Sequence, residues 1–237
     1  VKMIGKNKRS VFFAIIIFIL LITVTLVLFV SLKNNKANKK TTTTVKNTLG
    51  YISKTDKNFF YVLEKGTWNK TFIKGVNIGA GKPGAFPGEV AITYDEYYRW
   101  FGYISQMNAN TIRVYTIQRP QFYNALYDFN KKAEKSGKKP IYIIHGVWVN
   151  ENDITTIEDA YGNNDKILKD EITTGKETVD ILHGNCYLPV RKGYADGTYT
   201  SDVSKYVIGW ILGIEWDPSF VVSTNENNPK RNNYNGK

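Results

Sequence analysis

The feature that most constrains this chain is a repeated switch in the period of its hydrophobic pattern. Apolar runs of strand length at residues 71–78, 111–117, 140–148 and 207–214 alternate with stretches whose apolar residues fall at helical spacing. An order of strand, helix, strand, helix, strand, helix, strand predicts a parallel sheet with helices outside it. The helix boundaries carry their own signals. Thr93 with Glu96 forms a capping box, and Ile92 with Tyr97 holds the hydrophobic-staple positions. From there Tyr97, Trp100, Phe101 and Ile104 make the buried stripe of a first helix that runs to about Met107. A second helix starts near Pro120, carries Phe122, Leu126, Phe129 and Ala133 on one face, and closes at Gly137. A third is expected around 165–182, inside a long connection over 150–205. Ahead of the alternating region, runs at 59–63 and 71–78 bracket Lys65, Gly66 and Thr67, a hairpin turn.

Right-handed crossovers allow either an open doubly wound sheet or a β/α barrel. The glycines after the first parallel strand, Gly79, Gly81 and Gly84, lead into Pro87 rather than into a helix, so the dinucleotide-binding turn is missing. Strand ends rich in Trp, Tyr and Asn favour the mouth of a barrel. The expected fold is therefore α/β, a partial (β/α)8 barrel of about four units preceded by a short β-hairpin.

Charge divides the chain. The net charge is +11, yet ten of the 32 Lys and Arg and none of the 21 Asp and Glu lie in residues 1–55. Residues 56–237 are close to neutral, which argues against nucleic acid as a partner. Within the basic part, residues 11–32 are 22 uncharged and mostly apolar residues, enough to cross a bilayer core. The run exceeds a signal-peptide core and lacks a small-residue cleavage site. The expected organisation is a basic flank at 1–10, a transmembrane helix at 11–32, a Lys/Thr-rich stalk at 33–55 and a folded domain at 56–237. That makes a single-pass membrane protein with its C-terminal domain outside the cell. Lysines flank both ends of the apolar run, so charge leaves the orientation open. Cys186 is the lone cysteine, so no intrachain disulfide framework forms.

Ligands of parallel α/β folds gather at the carboxyl ends of the strands. Those ends hold Asn77, then Arg113 with Tyr115, then His145 with Trp148, then Glu215 with Trp216. Strand alternation puts Gly209, Ile211, Gly213 and Glu215 on one face, and Ile208, Trp210, Leu212 and Ile214 on a bulky face suited to helices. An inward carboxylate or guanidinium is costly unless paired or used. Glu215 is therefore the candidate acid/base, with an N-cap or a rim ion pair as its structural alternative. Arg113 points to an oxygen-rich ligand or to a structural ion pair. His145 suits a buried hydrogen bond as well as a substrate contact, and Trp148 and Trp216 suit either sugar stacking or core packing. His145, His183 and Cys186 lack ligand spacing, so no metal and no cofactor is expected. No G-x-S-x-G turn for a serine nucleophile occurs.

In that order the motifs FIKGVN (72–77), NANTIRVY (108–115), a third strand reaching His145, and GWILGIE (209–215) resemble the first half of a retaining glycoside hydrolase barrel. The resemblance is to the (β/α)8 clan that includes families 2 and 5, and it covers roughly residues 59–226. It implies that Glu215 is the acid/base and that Arg113 helps to hold a nucleophile carboxylate. It also implies a poly- or oligosaccharide partner. The family's usual Asn before the acid/base, which contacts the sugar 2-hydroxyl, is Ile214 here. The nucleophile of such enzymes ends strand seven, so four strands imply an N-terminal portion that does not turn over alone. The alternatives are a glycan-binding protein of the same fold without catalysis, and a membrane-tethered α/β scaffold.

Overall fold

The computed structural model describes residues 50–213 and 215–230. The segments expected at 1–10 and 11–32 lie outside them, as does most of the expected stalk. Among the described residues no helix is long and apolar enough to cross a membrane.

Two larger sheets and one small two-stranded sheet occur among the described residues. The first is antiparallel, in the order β1 (Ser53–Asp56), β2 (Phe59–Glu64) and β3 (Thr67–Lys70). The expected hairpin is present, with Lys65 and Gly66 at its turn, both at positive φ. Its return strand ends at Lys70, because β4 (Gly75–Ile78) leaves for the second sheet. The run at 71–78 is thus no single strand. Strand β1 begins at Ser53, so residues 53–55 belong to the fold and not to the stalk.

The second sheet is parallel, in the order β4, β5 (Thr111–Val114), β6 (Tyr142–Val147) and β9 (Val207–Leu212). Helix α1 (Tyr94–Gln106) joins β4 to β5, and α2 (Pro120–Lys135) joins β5 to β6. Thr93 caps α1 as expected: its backbone N–H donates to Glu96 at 2.8 Å, and its hydroxyl accepts from the Glu96 N–H. Ile92 and Tyr97 are both buried, so the staple forms. The two helices pack one sheet face, where Phe101, Phe122, Leu126, Ile112, Val114 and Ile143 share a single core. Asn130 replaces the missing partners of one strand start. Its amide bonds both the N–H and the C=O of Ile141, at 2.8 and 2.9 Å.

The connection from β6 to β9 holds more structure than its sequence signals. Helix α3 (Glu151–Ile157) precedes α4 (Gly162–Leu182), whose first turn runs through left-handed Asn163, Asn164 and Asp165. After α4 a small antiparallel hairpin of β7 (Cys186–Leu188) and β8 (Gly197–Tyr199) returns toward α2. Helix α5 (Pro218–Asn227) follows β9; Asp217 caps it and Phe220 buries beside Val149, Ile154 and Ile167.

The antiparallel sheet covers the amino ends of the parallel strands. Val62 packs on Tyr142 and Ile208. The Tyr142 hydroxyl donates to Glu64 at 2.7 Å, and Ser53 donates to the Ile208 carbonyl at 2.7 Å. A register shift between Ile143 and Ile144 accompanies this. The expected faces of β9 are not kept: the Ile208 side chain packs against the antiparallel sheet, while Trp210 and Leu212 stay 43% and 71% exposed rather than covered by helices.

Candidate functional site

A cavity of about 570 Å³ opens at the carboxyl ends of the parallel strands. The β4–α1 loop supplies Gly79, Ala80, Pro87, Gly88 and Val90, and the β5–α2 loop supplies Tyr115 to Gln118. Trp148 follows β6, and Glu215 follows β9. Thr174 and Glu177 come from α4, and Arg191, Tyr194 and their neighbours from the β7–β8 loop. Among the predicted residues, Tyr115, Trp148 and Glu215 thus share one cavity.

Gln118 sets the cavity's inner wall. It is buried, and four hydrogen bonds fix it. Tyr97 donates to its side-chain oxygen at 3.1 Å, and its amide donates to the Thr116 carbonyl. Its backbone N–H donates to Tyr123, and its carbonyl accepts from Tyr199 at 2.9 Å. Such a wall is preorganised: its polar groups are spent on the fold.

Glu215 is exposed and stands past the end of the strand. β9 stops at Leu212, Gly213 has φ 79° and Glu215 itself has φ 55°. The expected extended run to residue 214 is therefore a turn, and Ile214 lies outside the described residues. Among the described residues Glu215 makes no ion pair, whereas Glu177 is held by Arg191 at 3.4 Å.

The remaining predicted residues are placed elsewhere. Asn77 and Arg113 are register partners on the sheet face away from the helices, outside the cavity lining. Asn77 is exposed. The Arg113 guanidinium lies over the Tyr115 ring at 4.5 Å, and its Nε is buried without a partner among the described residues. His145 pairs in register with Val114 and Trp210, on the opposite face. It is fully buried against α2, where the Tyr123 hydroxyl lies 2.9 Å from Nε2 and the Gly146 carbonyl 2.8 Å from Nδ1. Since the Gln118 N–H donates to Tyr123, the consistent arrangement is Tyr123 donating to Nε2 and Nδ1–H donating to Gly146. Burial lowers the His145 pKa to about 4 and keeps it neutral. This histidine is part of the core and lies outside the cavity lining. Trp216 is also a packing residue: it meets Phe220 edge-on at 5.7 Å and lies under Gly213.

Gln118, Glu177, Arg191 and Tyr194 were not legible as site residues. Glu177 reads as one more polar position on a helix, and nothing in the sequence tells that the loop at 189–196 folds back over the β5–α2 loop. Among the described residues, no group of three or more His, Cys, Asp or Glu is arranged to hold a metal ion. Comparison with family models, with curated proteins and with solved structures gives no match.

Proposed function

We propose that the cavity holds a sugar, that the parallel sheet is half of a (β/α)8 barrel of glycoside hydrolase type, and that residues 11–32 tether it to a membrane. The observation that supports this best is the convergence of Trp148, Tyr115 and Glu215 on one cavity at the carboxyl edge of the sheet. Aromatic faces suit the apolar faces of a pyranose, and a carboxyl beside them suits its hydroxyls and its bridging oxygen. In this reading a second carboxylate attacks the anomeric carbon while Glu215 protonates the oxygen that leaves, and Glu215 then takes a proton from the water that displaces that carboxylate. Retaining displacement needs a second carboxylate about 5–5.5 Å away. Glu177 pairs with Arg191 at 3.4 Å, and this reading assigns no nucleophile among the described residues, so it predicts glycan binding without turnover.

The test is titration of the chain with linear oligosaccharides from cellulose, xylan, mannan, laminarin, chitin and starch, followed by tryptophan fluorescence and calorimetry. At least one series should bind, and Trp148→Ala should weaken it about tenfold, the scale of one lost stacking contact. No binding across the panel sinks the carbohydrate reading. Steady turnover of aryl glycosides by this chain, lost in Glu215→Gln, would sink the half-barrel reading while keeping the acid/base role. The same chain with residues 1–49 removed should leave the membrane fraction.

A further inference from the structure

Two loops close one side of the cavity. A β-carbon added to Gly88, in the β4–α1 loop, would stand 3.4 Å from Cα of Gly193 in the β7–β8 loop and 3.7 Å from its carbonyl oxygen. That is backbone against backbone, with no gap a sugar ring can cross. Both loops line the cavity, so their junction is part of its wall.

Each loop is anchored at its base. Lys82 pairs with Glu96 of α1 at 2.8 Å, and this contact, with the Thr93 cap, holds the Glu96 carboxyl down to about 2. Across the junction, Arg119 pairs with Asp196 at 3.2 Å and Tyr199 is bonded to Gln118. A β-carbon on Gly197 would meet Pro120 at 3.0 Å, so the hairpin lies directly on the start of α2. The wall is therefore built from both sides and does not depend on a single contact.

Resting on the carbohydrate reading above, we propose that the site accepts the end of a glycan chain and not its interior. The Gly88–Gly193 junction blocks a chain from leaving on that side. The terminal sugar sits against that junction, flanked by Tyr194 and Arg191, and the bond presented to Glu215 is one near the terminus.

The experiment uses the linear series that binds, at two to six units, each also capped at the non-reducing end by a 4-O-benzyl group or at the reducing end by a bulky fluorophore. Affinity should stop rising once the cavity is filled, and one of the two caps should weaken binding tenfold or more while the other is tolerated. A variant in which residues 190–195 are replaced by two glycines removes the wall and should regain binding of the capped form. Affinity that climbs through six units, with both caps tolerated, overturns the proposal and leaves the carbohydrate reading intact. Should the shortened variant lose its cooperative thermal transition, the cap comparison on the unaltered chain decides alone. Failure of every series to bind removes the underlying reading and this inference together.

Discussion

At the residue scale the sharpest constraint is Gly213. Its φ of 79° is one that side chains rarely adopt, and a β-carbon there would stand 2.6 Å from the Trp216 indole. Gly213→Ala must shift either the turn that carries Glu215 or the ring beneath it. The expected cost is about 1–3 kcal/mol, read as a fall in Tm and in denaturant midpoint. Unchanged stability would mean that this turn is not held as described. His145 gives a second prediction, with a sign. Its pKa of about 4 in the fold lies below its ordinary 6.5, so the unfolded chain binds more protons between those values. The stability it contributes is complete above pH 6.5 and is lost as pH falls toward 4. The loss is on the order of 3 kcal/mol. His145→Gln should be less stable at neutral pH, and its Tm should fall less steeply across that window. An equal slope in both proteins would show that His145 is not the group that titrates.

At the element scale the helices were the most legible part of the sequence, because their ends are marked by local chemistry. Thr93, Glu96 and Pro120 act within one turn, so neighbours in sequence suffice to place α1 and α2. Thr93→Ala should cost about 1 kcal/mol through the lost cap, measurable by chemical denaturation. A Ser at the same position should restore most of it. The hairpin β7–β8 and the short α3 were not legible, since three-residue strands lack a period and are held by distant partners such as Gln118 and Pro120. The fourth strand was legible as a strand but misread at its end. Apolar character continues to Ile214 in sequence, whereas Gly213 turns the backbone. The face of Glu215 therefore cannot be counted by alternation from Gly209. Asn77 and Arg113 come together through the strand register, which separates them from His145.

For the whole molecule the sheet order makes β4 and β9 its edges. On β9, Leu212 is 71% exposed and Trp210 is 43% exposed. Open parallel edges with apolar side chains invite pairing with another chain. The chain should associate as its concentration rises, and sedimentation should show Leu212→Lys moving that onset upward without lowering Tm. A monomer at all concentrations would show that the edges are already protected. The bond between Ser53 and the Ile208 carbonyl, 155 residues apart, has a consequence for biosynthesis. A ribosome adds about 5–20 residues each second, so the first described strand emerges roughly eight to thirty seconds before the strand it locks onto. Through that interval the inner side of the β1–β3 sheet, with Val62 and Phe60, gains its cover in steps, Tyr142 first and Ile208 last, so it is complete only when the final strand of the parallel sheet arrives.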